Sequence, residues 1–335
     1  MENNEIGYIR RVDAVRTALM AVLILSVYRL PLPLMRYASL LCGFAPCALF
    51  ALYGYFVLCP GKYVNTRKEN LVSTLKVFLL LLGAYLVLGC AYQYLYSGNA
   101  FSWLNTPNLL TFLVFSKWPI NVGESIWMIQ TVLYALIFFV LFRKLPAGPV
   151  LDGLVCAVLL LLGIVFGELA VVLKMPFYLE RNFLTTTIPY MLLGKLLWCV
   201  PEKPKRSGGK GIILLFCGGV VLCAAEALWL RSAGALDYCE HLIGYIPMTV
   251  AVVLFAVRGP QKPEEETIGA EDVRLMTVYR LMYYLYDPIA EFYFLLTIFL
   301  IGFPKLFTVA AGATAVVTLI LTFLLAKLIA RIRWR

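Results

Sequence analysis

In the stretch VDAVRTALMAVLILSVYRLPLP, residues 12–33, an aspartate and an arginine stand one helical turn apart at the mouth of an apolar run. That spacing puts Asp13 and Arg16 on one side of a helix, where they can pair with each other or present the guanidinium to an anion. Charge inside an apolar run is expensive, so each such residue is a functional candidate. Asp287 and Glu291 follow the sequence YYLY and share a helix face, an arrangement suited to proton transfer. Their plain alternative is a solvated helix start before Pro288. Arg181 and Asn182 open the run FYLERNFLTTTIPYMLLGKLL, where a helix N-terminus already favours anions, although Glu180 could neutralise the arginine. Glu168, Glu226 and Trp127 sit near the ends of apolar runs and also fit ordinary interface residues. No Gly-rich phosphate loop, Ser-His-Asp set or metal spacing stands beside them; a lone His241 cannot complete a zinc set.

The elements that must position these groups are membrane helices. Of 335 residues, 62% are hydrophobic and 14% charged, whereas soluble domains carry about 25% charge. Several apolar stretches approach the ~20 residues that cross a ~30 Å hydrocarbon core. The period-2 alternation of a membrane barrel is absent. The expected fold is therefore an all-α, polytopic bundle of about ten transmembrane helices, forming one domain over 1–335 with no soluble enzyme domain attached. The spans fall near 13–30, 38–58, 72–96, 125–142, 150–173, 183–200, 211–230, 241–257, 283–303 and 306–329. The run 109–116 is too short to cross. Basic residues collect in alternate loops, among them Arg10, Arg11, Arg67, Lys68, Arg143, Lys144, Lys205 and Arg258, and in the tail. This asymmetry predicts cytoplasmic N- and C-termini.

The stretches PEKPKRSGGKG and RGPQKPEEETIGAED read as solvated connectors. The first apolar run lacks a cleavage site and is followed by more spans, which argues against a signal peptide. A net charge of +10 points to a membrane surface, and no interleaved basic and aromatic pattern points to nucleic acid. Most of the nine cysteines lie inside apolar runs and read as small hydrophobes, with Cys59 and Cys239 open to pairing.

Taken in order, these stretches resemble the acyltransferase-3 family of ten-span bacterial membrane proteins. The family's first helix carries Asp-x-x-Arg, matched by Asp13 and Arg16, with a histidine about three turns beyond. Pro46, Phe50, Gly54 and Tyr55 echo a second-helix motif, Trp127 a fourth-helix one, and Arg181, Asn182, Pro189 and Gly194 a later segment. Leu30, Pro31, Leu32, Glu226 and Pro247 are similar to the membrane domain of vancomycin-resistance serine racemases. The family's three histidine positions hold other residues: Val27 or Tyr28, Ser125, and Asp287.

The resemblance implies a bacterial cytoplasmic membrane protein that moves an acyl group, commonly acetyl, from cytosolic acyl-CoA to a hydroxyl of a cell-surface glycan. It implies no bound cofactor beyond acyl-CoA as co-substrate. Arg16 would face the donor, with Asp13 beside it, and Asp287 or Glu291 could serve as base. Arg181, Asn182, Trp127, Tyr28 and Glu226 would bind substrate, with the acceptor near Arg181. The competing expectation is a non-catalytic member that binds or translocates a small polar solute such as serine. A third is a membrane partner that stabilises another protein.

Overall fold

A computed structural model describes residues 10–27, 40–58, 67–119, 126–142, 148–174, 182–199, 208–234, 241–257, 270–298, 309–310 and 313–333. Among these residues every regular element is helical. The main helices are α1 (Arg10–Val27), α2 (Phe44–Val57), α3 (Arg67–Ser97), α4 (Thr106–Phe115), α5 (Ile126–Leu141), α6 (Pro149–Ile164), α7 (Ile188–Cys199), α8 (Gly208–Ser232), α9 (Tyr245–Val257), α10 (Ala270–Ile298) and α11 (Thr314–Arg333). Among the described residues, five segments are long and apolar enough to cross a membrane: Leu40–Val57, Arg67–Leu95, Pro149–Val172, Gly209–Ser232 and Thr314–Arg331. Leu79, Leu80, Val87, Leu214 and Val221 point outward on such helices. An apolar outer surface of this kind is compatible with lipid contact.

The chain divides into two compact units, one of Met1–Leu49, Glu202–Val220 and Pro247–Arg335, the other of Phe50–Pro201 and Val221–Ile246. In the first, α1 packs on α10 and α11, and α10 packs along α11. The buried side of α1 runs through Val12, Asp13, Leu19, Met20, Leu23 and Ile24, which recur at helical spacing. On α11 the buried side is Ala315, Thr318, Thr322, Ala326 and Ala330. Such small side chains let helix backbones approach closely where lipid gives no hydrophobic drive.

In the second unit α5 is buried on nearly every side, from Ile126 through Phe139, which matches a sequence apolar all round. Residues 50–57 of α2 pack on α7 with almost no space between backbones. A Cβ added at Gly54 would strike the Met191 backbone, and one at Gly194 would strike Ala51 and Tyr55. The Tyr55 and Trp198 rings also meet across this contact, with centroids 5.1 Å apart.

Helices α6 and α7 run antiparallel. Lys195 meets Asp152, Cys156 Sγ donates to the Pro189 carbonyl at 3.2 Å, and Gly163 faces the Thr185 backbone. A π turn adjoins each helix, Val165–Leu169 continuing α6 and Phe183–Thr187 leading into α7. The second has a local cause, since Pro189 offers no N–H to the carbonyl four residues before it. The short α4 starts with Asn105 accepting from the Asn108 N–H and ends at Ser116 in the left-handed region, φ 55°.

Two details depart from the sequence reading. Asp287 does not lie at a solvated helix start: α10 begins at Ala270, continues through Pro288 and buries both carboxylates. Cys199 and Cys217 are exposed rather than buried, while Cys47, Cys156 and Cys223 are buried.

Candidate functional site

In the first unit, α1 places Asp13 and Arg16 on its α10-facing side. Arg16 Nη1 donates to Asp13 Oδ1 at 3.0 Å, and its guanidinium lies 5.6 Å from the centre of the Tyr279 ring on α10. The Thr17 hydroxyl donates to the Asp13 carbonyl at 2.8 Å. Arg16 is thus held by a carboxylate and a ring face, with 18% of its side chain still accessible. A fixed cation with an open edge can receive a carboxylate, phosphate or polarised carbonyl oxygen.

Further along α10 lie Tyr283, Tyr286, Asp287, Ala290 and Glu291. Asp287 is 2% and Glu291 8% exposed. Two buried carboxylates one turn apart are a costly arrangement and a candidate for proton transfer.

In the second unit, Trp127 is buried and sets its ring edge-on to Phe50, with centroids 5.9 Å apart. It is a packing residue there and not a belt tryptophan at a membrane interface. Asn182 caps the π turn by accepting from the Leu184 N–H at 2.9 Å. Glu226 accepts from the N–H groups of Ile243 and Gly244, at 3.0 and 3.1 Å. That carboxylate ties α8 to the start of α9, a structural task that its sequence position did not reveal. Glu168, in the first π turn, is also buried and lies within electrostatic reach of Glu226. His241 packs edge-on against Tyr190 and Tyr245. Tyr28 and Arg181 lie outside the described residues.

The sequence reading missed the Asp152–Lys195 ion pair, whose members are both buried. Arg67 acts on the same aspartate electrostatically and donates to the Phe139 carbonyl. The available signal was a lysine inside the apolar run TTTIPYMLLGKLL, together with an aspartate in the first turn of the preceding span. Among the described residues, no three His, Cys, Asp or Glu side chains are grouped to hold a metal ion.

Comparison of the chain with protein-family models, with curated proteins and with solved structures gave no match.

Proposed function

We propose that the chain is an acyltransferase-3-type protein of a bacterial cytoplasmic membrane, with ten spans and both termini in the cytoplasm. Its reaction moves an acetyl group from acetyl-CoA to a hydroxyl of an extracytoplasmic glycan. The observation that carries this reading is the burial of Asp287 and Glu291 on the helix whose Tyr279 ring lies beside Arg16. In the ten-span order α1 and α10 both run outward. At ~1.5 Å per residue, Asp287 then stands roughly 12 Å and Glu291 roughly 18 Å beyond the Arg16 level. The family's first-helix histidine would stand roughly 16 Å beyond its arginine. One of the two carboxylates therefore comes level with the vacated position.

In the reaction Arg16 holds an oxygen of the acyl donor. Asp287 or Glu291 takes the proton from the acceptor hydroxyl, and the resulting oxygen attacks the thioester carbonyl. The carbon–sulfur bond breaks, CoA leaves as thiolate, and the proton passes to it. A phenol such as Tyr28 is a weak base at neutral pH and is not needed for this step.

A second reading is a non-catalytic member that binds donor or a small polar solute, favoured by the absence of histidine at all three family positions. Vesicles carrying the protein and supplied with labelled acetyl-CoA separate the two. Label entering extracytoplasmic glycan with wild type, and not with Arg16→Gln, supports transfer. Label no higher than in empty vesicles, with donor binding retained, supports the second reading.

A further inference from the structure

We propose that Glu168 and Glu226 form a binding site for one proton, held between the π turn that continues α6 and the start of α9. All the groups involved belong to the second unit. Glu168 is 3% and Glu226 9% exposed, so both carboxylates have left water behind.

The two side chains converge on one backbone donor. Glu226 Oε1 accepts from the Ile243 N–H at 3.0 Å, and its Oε2 accepts from the Gly244 N–H at 3.1 Å. The same Ile243 N–H acts on Glu168. Glu168 Oε1 is buried and has no hydrogen-bond partner among the described residues. The turn that carries Glu168 is itself unusual, since π turns concentrate at functional sites. Pro189 accounts for the π turn before α7, whereas no proline stands within or directly after Val165–Leu169.

Geometry divides the roles. Glu226 gives both oxygens to N–H donors at the start of α9, where a helix end favours negative charge, so it is the carboxylate of the pair. Glu168 brings a second carboxyl group to that place. Among the described residues no cation acts on either group. The other titratable neighbour is the Cys223 thiol, one turn before Glu226 on α8, while His241 packs its ring on Tyr190 and Tyr245. Two negative charges side by side in a dry site repel, and one shared proton removes the repulsion and supplies the missing donor. A carboxyl O–H on Glu168, donated to Glu226, does both. A proton needs neither a cavity nor an open surface. A hard metal ion takes about six oxygen ligands, and among the described residues no three His, Cys, Asp or Glu side chains are grouped to hold one. Release of the proton would set two charges against each other and loosen the π turn from the start of α9.

Infrared difference spectra of the full chain in lipid nanodiscs test the site, because a protonated carboxyl has a C=O stretch that a carboxylate lacks. At neutral pH, wild type minus Glu168→Gln should show the band of one carboxyl group, shifted in deuterium oxide. In the folded fraction of Glu226→Gln that band should change frequency, since its hydrogen-bond acceptor has changed. Glu168→Gln has the shape of the neutral carboxyl, so it should fold in wild-type yield and melt no lower than wild type. Alkaline pH should remove the band from wild type and lower its Tm by more than that of Glu168→Gln, the sign for a group protonated in the folded state. No carboxyl band in the difference spectrum, a band unmoved by Glu226→Gln, equal alkaline shifts, or Glu168→Gln that fails to fold would each overturn the site. None of these readings depends on acyl transfer.

Discussion

Replacing Lys195 with methionine tests the antiparallel register of α6 and α7. The ammonium group meets Asp152, and neither residue has appreciable access to solvent. Methionine fills a similar volume and leaves the carboxylate buried without its cation. Breaking a buried pair from one side costs about 3–5 kcal/mol. Arg67 also acts on Asp152 from a half-buried position, which places the expected loss near the lower end, about 3 kcal/mol. For a unit of this size that corresponds to a Tm lower by roughly 6–12 °C. Thermal unfolding in nanodiscs, followed by tryptophan fluorescence, reads it. The double variant Asp152→Leu with Lys195→Met removes both charges and should recover more than half of the loss. A single variant melting with wild type, or a double variant whose losses simply add, would refute the pairing and the register built on it.

Arg16→Ala leaves the buried Asp13 carboxylate without its guanidinium and should cost on the order of 1–3 kcal/mol. Asp13→Asn with Arg16→Gln should restore part of this in the same melting assay; full stability of Arg16→Ala would mean a free surface anchor. Gly194→Ala forces a methyl group into the Ala51 and Tyr55 backbone and should cost about 1–3 kcal/mol or more, read as lost folded yield. A substitution tolerated without loss would show that α2 and α7 are further apart. Cysteine-accessibility mapping should find 201–210 and 258–272 on the cytoplasmic side and 98–124 on the other, and 201–210 on the outer side would break the ten-span order.

Local relations were legible in the sequence. The Asp13–Arg16 pair follows from helical periodicity alone, and Asn182 as a helix opener follows from its residue type before an apolar run. The short α4 was also foreseen as too short to cross a membrane. Relations between distant segments were hidden. Glu226 could be placed near the end of a span, but nothing local says that it binds the Ile243 and Gly244 N–H groups. Asp152 and Lys195 lie on consecutive spans, and their meeting depends on a register that only packed helices define. The burial of Asp287 was obscured by Pro288, which reads as a helix boundary although the surrounding packing carries α10 through it. Tertiary contact decides such positions, and a single chain read linearly contains little of it.

The proposed acyl transfer stands most directly on whether Asp287 or Glu291 takes the proton from the acceptor hydroxyl. Acetyl transfer from labelled acetyl-CoA to extracytoplasmic glycan, compared across wild type, Asp287→Asn and Glu291→Gln at equal amounts of folded protein, measures this. The account predicts transfer by wild type and a loss of about 10²-fold or more in one of the two variants, the scale of a positioned general base. Transfer unaffected by either change, or no transfer by wild type, would contradict it.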